Sequence, residues 1–222
     1  PSKRTLAQAG VHVVDLMVGD MGSLLSWIHY FLKEDMDKVN PEISSRLKSN
    51  IYSRIVEPYM NRNDMWWQAL ELKENKMVNN WNPWCNFNVL TCLLLIEDNE
   101  NLKVEGIYKT MRSVDKFINY VKIDGACEEG PSYWGHAAGK LYDYLELLSL
   151  STGNKVNLFD QKVIKDMGEY ISQSYIGGDS WVVNFADASA KGGGDPLLIY
   201  RYGESVGSLE MKQFAKYLLA YE

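Results

Sequence analysis

Cysteine and histidine are scarce, with three of each in 222 residues. Cys85, Cys92 and Cys127 form no CxxC pair and no metal-ligand spacing, and the odd count argues against a disulfide framework. Cys85 and Cys92 sit seven apart, a spacing that suits buried thiols on one helix face. His12, His29 and His136 are scattered, with no HExxH-like arrangement. No metal or other cofactor is expected. Positive charge is also in deficit: 23 Lys and Arg stand against 29 Asp and Glu, for a net charge of −6. A general nucleic-acid binder needs a basic surface to release counterions, so nucleic acid is not an expected partner. A polyanionic ligand would need its own local site. The longest apolar run, residues 89–96, is far below the ~20 residues that cross a bilayer, so no membrane partner is expected. Residues 1–10 lack the charged-then-apolar order of a signal peptide, which leaves the compartment open.

Aromatic residues, by contrast, are plentiful: 7 Trp and 14 Tyr, side chains that stack on sugar rings as well as in cores. With 46% hydrophobic and 23% charged residues, the composition is that of a globular chain long enough to bury a core in one domain.

Helical spacing recurs along the chain. Met21, Leu24, Leu25, Ile28, Phe31 and Leu32 share a face, and a separate helix over residues 11–17 would break near Gly19 or Gly22. Asn40-Pro41 reads as a cap and first-position proline for a helix through Ile43, Leu47, Ile51 and Ile55 that ends near Pro58. Residues 61–80 have no sustained period and read mostly as loop. Residues 87–96 are apolar on every side, as an inner helix is. Ile107, Met111, Val114, Ile118 and Val121 mark a one-faced helix. Leu141, Leu145 and Leu148 mark another, broken at Gly153-Asn154, and Phe159, Val163, Met167 and Tyr170 a further one. Residues 180–186 and 197–202 are short β-branched or aromatic runs around a glycine turn and read as strands or extended segments. Residues 206–221 return to helical spacing. The fold class is all-α, and an inner helix beside a one-faced helix suggests the two layers of an α/α toroid, taken as a single domain over residues 1–222. The last helix meets no stop signal, so the chain reads as part of a longer protein.

Two clusters carry chemistry. The first, Asn79-Asn80-Trp81-Asn82-Pro83-Trp84-Cys85-Asn86, sets amides and indoles just ahead of the buried helix. One asparagine suffices to cap a helix. The surplus amides beside Trp81 and Trp84 suit a saccharide, with ring faces for the sugar and amides for its hydroxyls and carboxylates. The second, DGACEEGPSYWGH over residues 124–136, turns at Gly130-Pro131 and places Tyr133, Trp134 and His136 in what reads as a first helical turn. Tyr133 and His136 then share a face. The plainer alternative is a Gly-Pro helix start whose aromatic residues simply pack.

NNWNPWCN, the DG-x-x-x-EGPSYWG piece about fifty residues on, and WVVNFADASA together resemble the heparinase II/III-like polysaccharide lyases and their oligoalginate-lyase relatives over residues 79–190. The resemblance implies an incomplete α/α toroid normally followed by a β-sandwich domain, absent here, that completes a cleft. It implies β-elimination at a uronic acid: a proton leaves C5, the C4–O bond breaks, and the substrate carboxylate is neutralised by donors. By motif, Tyr133 is the base, the acid or both, and Asn79 or Asn80 the neutraliser. Trp81, Asn82, Trp84, Asn86, Glu129, Trp134 and His136 would line the substrate. Some relatives carry histidine in the asparagine segment and this chain does not. Tyrosine ordinarily titrates near pH ~10, so a base role needs a cation or strong donor, for which His136 is a candidate. The implied partner is an acidic polysaccharide or oligosaccharide, and the implied setting secreted or periplasmic. Two other classes stay open: a glycoside hydrolase using two of Asp124, Glu129 and Asp187, and a glycan-binding piece without chemistry.

Overall fold

The computed structural model describes residues 12–71, 76–121 and 124–221. Helix dominates the described residues, beside one two-stranded ribbon. The chain divides into two compact units, one formed by residues 1–76 and 85–116 and the other by residues 77–84 and 117–222.

In the first unit α1 (Leu16–Val39) is capped by Asp15, whose Oδ1 accepts from Val18 N at 2.8 Å. It runs unbroken through Gly19 and Gly22, against the expected break. The glycines serve close packing instead. A Cβ on Gly22 would sit 1.9 Å from Ile55 Cδ1, and one on Gly19 would sit 3.1 Å from Asn88 Nδ2. At the next boundary Asn40 Oδ1 accepts from Glu42 N at 2.9 Å and Pro41 takes the first helical position of α2 (Pro41–Ile51), as read from the sequence. The helical path does not stop at Pro58. It passes through a π-helical segment, Tyr52–Val56, into α3 (Glu57–Asn61), and the change of helical pitch just ahead of Pro58 accommodates a residue with no N–H to give the ladder. Lys109 Nζ then binds the carbonyls of Tyr59, Met60 and Arg62 at 2.7, 3.1 and 2.8 Å, which closes the end of α3.

Helix α4 (Trp81–Ile96) begins six residues before its apolar run. Cys85, Val89, Leu90, Cys92 and Leu93 are fully buried and Leu94 and Leu95 half-buried. All three cysteines are free thiols. Burial pushes the Cys92 thiol up to about 12 and raises Cys85 as well, so neither is a nucleophile at neutral pH. Helix α5 (Glu100–Tyr120) starts in the first unit and ends in the second.

The second unit holds α6 (Ala138–Ser151), α7 (Lys162–Gln173), α8 (Pro196–Ser205) and α9 (Leu209–Tyr221). As expected, α6 ends just before Gly153-Asn154, both at positive φ. Strand β1 (Tyr175–Gly177) pairs antiparallel with β2 (Trp181–Val182). Residues 197–202 are helical rather than extended. Asp195 Oδ1 accepts from Leu197 N at 2.8 Å, and Pro196 follows as a first-position proline, so the cap outweighs the β-branched content. The unit's core is aromatic. Trp134 stacks on Tyr202 at 6.1 Å and Tyr202 on Tyr142 at 4.7 Å, while Trp134 Nε1 donates to Met167 O and Tyr202 Oη to Ile164 O. Among the described residues no helix is long and apolar enough to cross a membrane.

Candidate functional site

The asparagine cluster divides its labour. Asn79 Oδ1 accepts from Trp81 N at 3.2 Å and so does the capping at the start of α4. That leaves the Asn80 side chain to the tertiary structure. Asn80 is buried, and its Nδ2 donates to Glu129 Oε2 at 2.6 Å across 49 residues of sequence. Its Oδ1 is buried with no hydrogen-bond partner among the described residues. An orphan acceptor of this kind costs roughly 1–3 kcal/mol unless something supplies a donor.

Glu129 sits at the end of the acidic turn, where Gly130 N donates to Cys127 O at 2.9 Å. Its carboxyl holds a proton more tightly than an ordinary glutamate. Burial is the main cause, the Asp187 carboxylate the next, and Glu128 adds a little, while the neighbouring Asn79 amide opposes them. Asp187 comes close because residues 185–188 lie over the turn: a Cβ on Gly130 would meet Ala188 Cβ at 2.4 Å and Phe185 O at 2.8 Å. Gly130 also has φ +87°, which only glycine adopts cheaply. Ser189 N donates to Ser132 Oγ at 2.8 Å and secures the same loop.

Pro131 opens a 3₁₀ segment, Pro131–His136, rather than the α-helix expected there, and α6 begins only at Ala138. In a 3₁₀ turn residues three apart lie one above the other. The Tyr133 and His136 rings accordingly meet edge to face, with centroids 6.0 Å apart. His136 in turn stacks on Trp84 at 4.4 Å, nearly parallel at 6°. His136 is exposed, and Trp84, Trp81 and Tyr133 are half-buried. Residues 79–84 and 129–136 thus meet at two points, one polar and one aromatic, both inside the second unit.

A cavity of about 40 Å³ adjoins the polar contact, lined by Asn79, Asn80, Glu128 and Glu129 against Val78 and Met167. It has room for ordered water beside the Asn80 amide. Glu128, Glu129 and Asp187 make the surroundings acidic. An anionic sugar arriving here would need neutral amide donors or a protonated Glu129. Among the described residues no three His, Cys, Asp or Glu side chains are grouped to hold a metal ion.

Two expected substrate residues are committed elsewhere. Asn86 is fully buried in the first unit, accepting from Tyr59 Oη at 2.9 Å and donating to Ser113 Oγ at 2.8 Å. Trp134 is fully buried in the aromatic core with its indole N–H bonded to Met167 O, so it offers no face to a ligand. Asn82 is also fully buried. The Ser132–Ser189 clasp has no signal in the sequence, although Ser132 lies in the EGPSYWG motif and Ser189 in WVVNFADASA. Compared with protein-family models and with curated proteins, the chain matches none.

Proposed function

We propose that the chain is the toroid portion of a polysaccharide lyase of the heparinase II/III-like kind, acting on a uronic-acid glycan in a secreted or periplasmic setting. The observation that supports this reading best is the double meeting of residues 79–84 with residues 129–136, amide on carboxylate and indole on imidazole. In this reading Tyr133 takes the C5 proton, the C4–O bond breaks as the C4–C5 double bond forms, and the departing oxygen is protonated by the phenol. Asn79 or Asn80 supplies the neutral donor to the uronate carboxylate. The exposed His136, backed by the half-buried Trp84, and the half-buried Trp81 offer flat faces to the sugar. A β-sandwich domain outside the 222 residues would complete the cleft.

The test has two arms. Oligouronates of heparan and alginate type should quench the tryptophan fluorescence of the 222-residue chain. In the enzyme completed by its sandwich domain, a near-ultraviolet absorbance from the unsaturated product should grow, and Tyr133→Phe should lower it by about 10²–10⁴-fold. Turnover that survives in the Phe variant removes Tyr133 from the mechanism. A second reading, glycoside hydrolysis, is favoured by the raised Glu129 carboxyl beside Asp187, since that chemistry needs one carboxyl protonated and one ionised. It would release reducing ends without the chromophore.

A further inference from the structure

Away from this site, the first unit has an open groove of about 700 Å³ between α1 and α2. Its walls are apolar and include Met17, Met21, Leu25, Ile43, Leu47 and Ile51. Met17 is 77% exposed and Met21 53%, values far from those of packed methionines. The stripe continues along α1 through Leu24 and Phe31, also exposed. From Met17 to Phe31 it runs about 21 Å at 1.5 Å per residue, a length that suits a helix better than a small molecule.

Charge distinguishes one border. Arg46 and Arg54 line the groove about two turns apart with Asn50 between them, and no carboxylate lines it. Among the described residues neither arginine has an ion-pair partner, although nearby Lys48 pairs with Asp98 at 2.5 Å. Two guanidinium groups on one edge of an apolar trough select for carboxylates at the matching edge of an occupant.

We propose that this groove docks an amphipathic helix of a partner protein that carries carboxylates along the border facing Arg46 and Arg54. The chain's own residues 1–11 carry Lys3 and Arg4 and no carboxylate, so their charge has the wrong sign. A second copy would offer α1 itself, but there Asp35 and Asp37 are already neutralised by Lys38 and Lys33 at 2.7 and 2.6 Å and Asp20 holds Asn88, which leaves Glu34 alone against two arginines.

The probe is a labelled synthetic amphipathic helix of about 18 residues, long enough to cover the stripe, made with either glutamates or lysines on one border. The 222-residue chain should bind the glutamate peptide about five- to ten-fold more tightly, the scale set by two exposed ion pairs. Arg46→Glu with Arg54→Glu should reverse the preference, and Met21→Asp should weaken both peptides. These positions are exposed, and circular dichroism checks that the variants keep their helix. Equal binding of the two peptides, or binding of neither, overturns the proposal. So does a concentration-dependent dimer that Met21→Asp abolishes, which assigns the groove to a second copy. Binding confined to phosphatidylglycerol vesicles overturns it in favour of a lipid surface.

Discussion

Glu129 accepts from the Asn80 amide at 2.6 Å while burial and Asp187 raise its affinity for a proton. Because its folded-state pKa lies above the ordinary 4.5, the folded chain keeps this proton to a higher pH than the unfolded chain does. Its contribution to stability is therefore complete below about 4.5 and is lost as pH rises through the raised value. Glu129→Gln keeps an oxygen for the Asn80 amide and removes the ionisation. The variant's urea midpoint, measured from about pH 4 to neutrality, should lack this decline, so that it gains on the wild type as pH rises. A variant that loses ground instead would show that the charged carboxylate is what holds Asn80. The same substitution separates the two functional readings. A lyase should keep kcat and bind its anionic substrate with a lower KM once a like charge is gone, whereas a hydrolase relying on Glu129 should lose turnover.

At the level of elements, Lys109 bridges α5 to the last carbonyls of α3 with three short hydrogen bonds, and its ammonium also lies 5.2 Å from the Tyr59 ring centre. Lys109→Met preserves helix propensity and the aliphatic stem but leaves those carbonyls without their cation. A loss of about 2–3 kcal/mol is expected in chemical denaturation, from the charge-assisted bonds and the helix-end dipole together. An unchanged midpoint would mean that water replaces the ammonium. Elements were legible where a local rule decides them. The Asn40-Pro41 start of α2 and the Gly153-Asn154 end of α6 need only capping and glycine chemistry. They were illegible where a distant partner decides. Gly22 resembles a helix breaker until Ile55 is seen to fill the space of its Cβ. Asp195-Pro196 carries a cap and a first-position proline, but the residues that follow favour strands and mask the signal. The same division holds in the site. Asn80, Glu129, Tyr133 and His136 stand in motifs that can be quoted from the sequence, but nothing local says that Asn86 and Trp134, in the same motifs, turn to the cores.

The whole molecule is two compact units, and the chain crosses between them at residues 76–77, within α4 and again within α5. Neither unit is therefore defined by one stretch of sequence. The first unit stabilises the middle of α4: Tyr59 Oη donates to Asn86, Asp20 accepts from Asn88 at 2.8 Å, and Ser26 Oγ approaches Cys92 at 3.5 Å. A chain beginning at Met77 retains the asparagine cluster and the GPSYW turn but loses these partners. It should bind a hydrophobic dye and show a broadened thermal transition, the marks of lost side-chain packing. A sharp transition in that shortened chain would show that the second unit folds without the first.

The Asn80–Glu129 contact also sets an order of events during biosynthesis. Asn80 leaves the ribosome 49 residues ahead of its acceptor. At synthesis rates of about 5–20 residues per second, that interval lasts roughly 2–10 s. Throughout it the amide can be served only by water or by neighbouring backbone. The asparagine cluster is thus made early and placed late, and a pause in translation between the two motifs would lengthen the time for which its buried position goes unfilled.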